Sequence, residues 1–110
     1  MASGDVLSAY YVMQTPQIMT LFVELQNITV TAATGTEIRI ALPAGKTVLN
    51  DAYGIYEVSD NGGTWQAAVW KVFATTAYLK LFVDLRGSTN WTAATDATSI
   101  RGLSATFTVT

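Results

Sequence analysis

The side chains that most often move protons, attack carbonyls and bind transition metals are missing here, because the 110 residues include neither histidine nor cysteine. A serine or cysteine nucleophile activated by histidine is therefore excluded. The remaining acid/base chemistry would have to come from two of the eight carboxylates, Asp5, Glu24, Glu37, Asp51, Glu57, Asp60, Asp84 and Asp96, converging as in a glycosidase. Glu24, Glu37, Glu57 and Asp84 fall on the outward parity of strand-like segments, where a solvated face explains them better. Asn50, Asp51, Asp60 and Asn61 offer hard oxygen ligands for calcium, but no loop carries the spaced D-x-[DN]-x-[DN]-G pattern. Turn formation accounts for those four residues. The reading is a non-enzyme with no catalytic residue, cofactor or metal.

Aromatic residues are the remaining candidates for contact with a ligand or partner. Trp65, Trp91, Tyr53 and Tyr56 combine a rigid apolar face with a polar tip, the combination that serves sugar stacking and recognition surfaces. Trp70 is read as a core or subunit contact. Trp91 lies in a polar loop, and both a surface role and a core role stay open for it. Asn27-Ile28-Thr29 and Asn90-Trp91-Thr92 match the glycosylation sequon, but with no secretion signal in view they are read as accidental.

These residues must be positioned by a single domain, 1–110, in which residues 1–9 form an N-terminal arm. Half of the chain is apolar and only 13% is charged, well below the roughly 25% usual for soluble domains. The surface must then be covered by Thr, Ser, Asn, Gln and Ala, or be hidden against partners. Six basic against eight acidic residues give a net charge of −2, and no basic cluster marks a nucleic-acid binder. No apolar run is long enough to cross a membrane, and without cysteine stability must come from packing and self-association.

Alternation at period two runs through the chain. Tyr10 to Met13 reads as a short edge strand stopped by Pro16. From Gln17 to Thr31, Met19, Leu21, Val23 and Leu25 point inward, then Ile28 and Val30 continue with parity shifted by one, which calls for a β-bulge at Gln26 and Asn27. Strands follow at Thr36 to Leu42, at Tyr53 to Val58, at Trp65 to Phe73, at Ala77 to Leu85 and at Ser99 to Thr110, with brief pairing at Lys46 to Leu49. Ser59-Asp60-Asn61-Gly62-Gly63 is the strongest hairpin signal. Gly87 to Asp96 is a polar loop. About eight short strands and no helical period predict an all-β fold, an antiparallel two-sheet sandwich of jelly-roll type. The expected core is Leu21, Val23, Ile38, Ile40, Leu42, Leu79, Leu81, Val83, Leu103, Phe107 and Val109.

The order T-G-T-E-I-R-I-A-L-P-A-G, D-N-G-G-T-W, Y-L-K-L-F-V-D-L, a W-T loop and a closing I-R-G-L-S-A-T-F-T-V-T resembles the small β-sandwich modules of tailed-phage virion proteins. Such modules occur in capsid decoration proteins and in tail fibres. The resemblance implies a virion structural protein assembled in the host cytoplasm. It also implies self-association as a trimer and contact with other virion proteins. The second reading is an adhesive carbohydrate-binding module at a fibre tip, contacting a host surface glycan through Trp91 with Tyr53 or Tyr56.

Overall fold

The computed structural model describes residues 6–30, 35–43, 45–87 and 89–110, with side chains from residue 11 onward except those of residues 94 and 96. Residues 1–5 of the expected arm, Asp5 and the Asp96 side chain thus lie outside the described residues. Seven strands form one antiparallel sheet: β1 (Val6–Thr15), β2 (Ile18–Val30), β3 (Ile38–Ala41), β4 (Ala52–Ser59), β5 (Gln66–Val72), β6 (Tyr78–Leu81) and β7 (Ala94–Thr108). Their order across the sheet is β1-β2-β7-β4-β5-β6-β3, and the sheet curls into a half-barrel with β1 and β3 at its open edges. Among the described residues the only helical piece is a 3-10 turn at Asp60–Gly62.

The all-β expectation therefore holds, while the two facing sheets of a jelly roll are replaced by one continuous sheet. The reason lies in β2 and β7, which are 13 and 15 residues long and remain hydrogen-bonded to each other from Ile18↔Thr108 to Val30↔Ala94. Strands this long can line two walls of a core only if they bend, and both contain an irregularity that lets them. On β2 the register breaks between Leu25 and Ile28, with Asn27 at φ 52°, as the parity shift in the sequence requires. On β7 the apolar set jumps from Ile100 to Leu103 across Gly102, whose φ of 70° is open to glycine without strain. Each strand thus turns an apolar row inward both above and below its bend.

The buried cluster fills the concave side. It includes every residue of the expected core except Ile40, which is half-buried and packs against it. The lower end is closed by Thr47 to Leu49, a segment too short to count as a strand. Val48 forms an isolated bridge with Val109, Leu49 N–H donates to the Thr108 carbonyl at 2.9 Å, and Val48 N–H donates to the Thr76 carbonyl at 2.8 Å. This segment ties the end of β7 to the β5–β6 turn.

Two further expectations need correction. Val6 to Ala9 belong to β1, paired with β2 from Val6↔Leu25, so they are not a free arm. The strand expected to run to Leu85 ends at Leu81, because Asp84 caps a turn: its Oδ1 accepts the Gly87 N–H at 2.7 Å, and its other oxygen accepts the Thr89 hydroxyl. The β4–β5 hairpin turns where expected, with Asn61 and Gly62 both at positive φ and Ser59 Oγ donating to the Gly63 carbonyl at 2.7 Å.

At Gly54, β4 packs closely against the Trp70 indole. A Cβ at Gly54 would lie 2.5 Å from Trp70 Nε1, inside any real contact distance. Gly54→Ala should therefore destabilise the fold by about 1–3 kcal/mol, read as a lower urea midpoint at unchanged slope. A neutral result would show that Trp70 is free to move.

Candidate functional site

The four aromatic candidates separate into two interior and two surface side chains. Tyr56 and Trp91 are 2% and 5% exposed and belong to the core, whereas Tyr53 and Trp65 are 78% and 36% exposed. The first pair has a shared structural task. Past Leu81 the ladder becomes irregular, with Phe82 N–H donating to the Val69 carbonyl at 3.1 Å and Val69 N–H to the Asp84 carbonyl at 3.3 Å, and buried carbonyls along such a stretch must find donors. Trp91 Nε1 donates to the Leu81 carbonyl at 3.2 Å, the Tyr56 hydroxyl to the Phe82 carbonyl, and Gln66 Nε2 to the Val83 carbonyl at 2.6 Å. Trp91 N–H also donates to the Gly35 carbonyl at 2.9 Å, which pins its loop to the start of β3. Burial, with the nearby Asp60 charge, pushes the Tyr56 hydroxyl far above the ordinary tyrosine range, so it stays protonated as a donor. Neither residue is presented to a ligand, and the surface role left open for Trp91 is corrected accordingly.

Most of the described carboxylates are engaged in contacts within the chain. Asp51 Oδ1 accepts the Ala74 N–H at 2.8 Å, and Asp60 receives the Thr92 backbone and hydroxyl, so each ties its loop to a segment distant in sequence, whereas Asp84 holds a local turn. Glu37 and Glu57 hold cations on the outer face, at 2.8 Å to Arg39 and 3.3 Å to Arg101. Partial burial raises the Glu37 carboxyl, but the hydrogen bond from Arg39 and the charges of Lys80 and Arg39 outweigh it and leave it below the ordinary range. Among the described residues no group of three or more acidic side chains could hold a metal ion.

Sequence reasoning missed how the cations are arranged. Arg39, Lys80 and Lys71 sit opposite one another on β3, β6 and β5, a like-charge row that cross-strand pairing disfavours. Glu37 offsets part of the repulsion and aromatic faces more of it: Arg39 lies 4.3 Å over Tyr78, Lys80 4.9 Å over Phe73, and Lys71 5.3 Å over Phe82. Arg101 lies 3.8 Å over Trp65. The period-two parity of these strands was the available signal, since it puts Arg39, Lys71, Phe73, Tyr78, Lys80 and Phe82 on one face.

Two kinds of surface remain on the outer face. An apolar depression of about 310 Å³ is lined by Tyr53, Ile55, Val69, Lys71 and Leu85, with Tyr53, Ile55 and Leu85 exposed. Trp65 lies elsewhere, on a polar depression with Arg101, so the structure does not bring Tyr53 and Trp65 together. At the sheet's end, β1 is ten residues long, contains no charged residue, and exposes Tyr11 and Val12 at 47% each. No protein-family model matches the chain, and no curated protein or solved structure matches it.

The contrast between the tryptophans is measurable. Trp91→Ala should cost about 3–5 kcal/mol in urea unfolding, since it removes a core ring and the Leu81 carbonyl's donor. Trp65→Ala, on the surface, should cost less than about 1 kcal/mol. Equal effects would contradict the assignment.

Proposed function

We propose that this chain is a non-enzymatic structural module that works by self-association, completing its open sheet with strands from neighbouring copies. The observation that carries this reading is β1. A long edge strand with unpaired backbone groups is a template for another chain, and proteins that stay monomeric blunt such edges with charge, proline or brevity. β3, at the other edge, has four residues and carries Arg39, whereas β1 has ten and no Lys, Arg, Asp or Glu. The exposed Tyr53, Ile55 and Leu85 give a second surface for contact between proteins.

The resemblance to phage virion modules supports a place in a virion, against other virion proteins, and a three-fold assembly. A closed ring of three requires each copy to present two different surfaces. The edges β1 and β3, at opposite ends of one curled sheet, are two such surfaces.

Sedimentation equilibrium on the intact chain tests this. The wild type should sediment at three times the 11.8 kDa chain mass, and Val12→Lys, which puts a charge on the open edge, should reduce it to a monomer. A two-fold dimer lost in the same variant would keep edge pairing and overturn the ring. A wild-type monomer at all concentrations would overturn the reading.

A further inference from the structure

Two depressions meet on the outer face where β2 and β7 both break register. One, of about 410 Å³, is lined by Glu24, Gln26, Asn27, Trp65, Ser99 and Arg101 among others. The second, of about 400 Å³, lies on the other side of Arg101 and Gly102 and shares Glu24 and Arg101 with the first. Their sizes fall within the range of small-molecule sites. Bulges cluster beside functional sites because they re-aim side chains, and here two bulges on facing strands, at Asn27 and Gly102, open the same corner.

The polar groups of this corner are held in place but incompletely used. Arg101 is fixed by Glu57 at 3.3 Å and by the Trp65 ring at 3.8 Å. Only its Nε takes part in the Glu57 hydrogen bond, which leaves the terminal N–H groups without a partner among the described residues. Glu24 lines both depressions beside Arg101, yet its carboxylate makes neither an ion pair nor a hydrogen bond among the described residues. A carboxylate and a guanidinium that face one space without meeting leave room for a molecule that both donates and accepts.

We infer that this corner binds a neutral glycan, a pyranoside that places adjacent hydroxyls between Glu24 and Arg101 and lays an apolar C–H face against the part of the Trp65 ring that Arg101 does not cover. The hydroxyls donate to the Glu24 carboxylate and accept from the Arg101 N–H groups, while Gln26 and Ser99 supply further polar contacts. One cation beside two carboxylates, Glu24 and Glu57, gives the corner a net charge of −1, which disfavours an acidic sugar. The site uses β2, β4 and β7 and not the open edge of β1, so it stands or falls independently of self-association.

The test is a nitrogen–proton correlation titration of the full chain with methyl glycosides of glucose, galactose, mannose and N-acetylglucosamine, and with a sialylated lactose for comparison. At least one neutral glycoside should give saturable shifts at Gln26, Asn27, Ser99 and the Trp65 indole. Glu24→Gln and Trp65→Ala should each weaken that binding about tenfold, and Tyr53→Ser should leave it unchanged. Conservation of the remaining amide spectrum shows that each variant is folded, and Arg101→Lys, which keeps the charge but loses the fork, should also weaken binding. No saturable shift with any neutral glycoside, binding of the sialylated sugar alone, or undiminished binding by Glu24→Gln would overturn the inference.

Discussion

The pairing of β2 with β7 is the interaction on which the rest of the structure depends, because it is the longest ladder among the described residues and it bends instead of breaking. A bulge costs the local ladder its regularity, yet it lets one strand bury an apolar row on both sides of the bend. Leu25 and Ile100 are paired between the irregularities at Asn27 and Gly102, and both are fully buried. With β2 and β7 bent together, β4, β5 and β6 are carried round on one side and β1 on the other. A continuous curled sheet follows in place of two facing ones.

Curling without closing leaves two kinds of unfinished hydrogen bonding. At the end of β6 the ladder becomes irregular, and side-chain donors from Trp91, Tyr56 and Gln66 satisfy three successive carbonyls. That internal debt is settled within the chain. The outer edge of β1 has no partner strand among the described residues. Backbone groups there can be solvated or can pair with another molecule, and an uncharged, partly apolar edge favours pairing.

Much of this architecture is legible in the sequence because strand parity is a local signal. The shift between Leu25 and Ile28 announces the β2 bulge, Asn61-Gly62 announces the hairpin, and Pro16 correctly marks the end of an edge strand. What is not legible depends on contacts distant in sequence. Trp91 lies in a polar stretch, so its burial follows only from the Leu81 carbonyl it satisfies and the Gly35 carbonyl its backbone reaches. Tyr56 alternates with the exposed Tyr53 and Ile55 on β4, and parity alone separates them once the register of β4 is known. The partnership of Trp65 with Arg101 joins a residue just before β5 to one on β7 and could not be read from spacing. The choice between one curled sheet and a two-sheet sandwich turned on the bends in β2 and β7, of which period-two reading passed over the one at Gly102.

The central claim is that the free edge of β1 is where copies of this chain meet. Amide hydrogen exchange, followed residue by residue as the protein is diluted, reads that edge directly. The account predicts that β1 amides facing away from β2 are as protected as those of β2 in concentrated solution and lose protection on dilution, while β2 and β7 stay protected throughout. Rapid exchange of those β1 amides at every concentration, with an otherwise protected sheet, would contradict it.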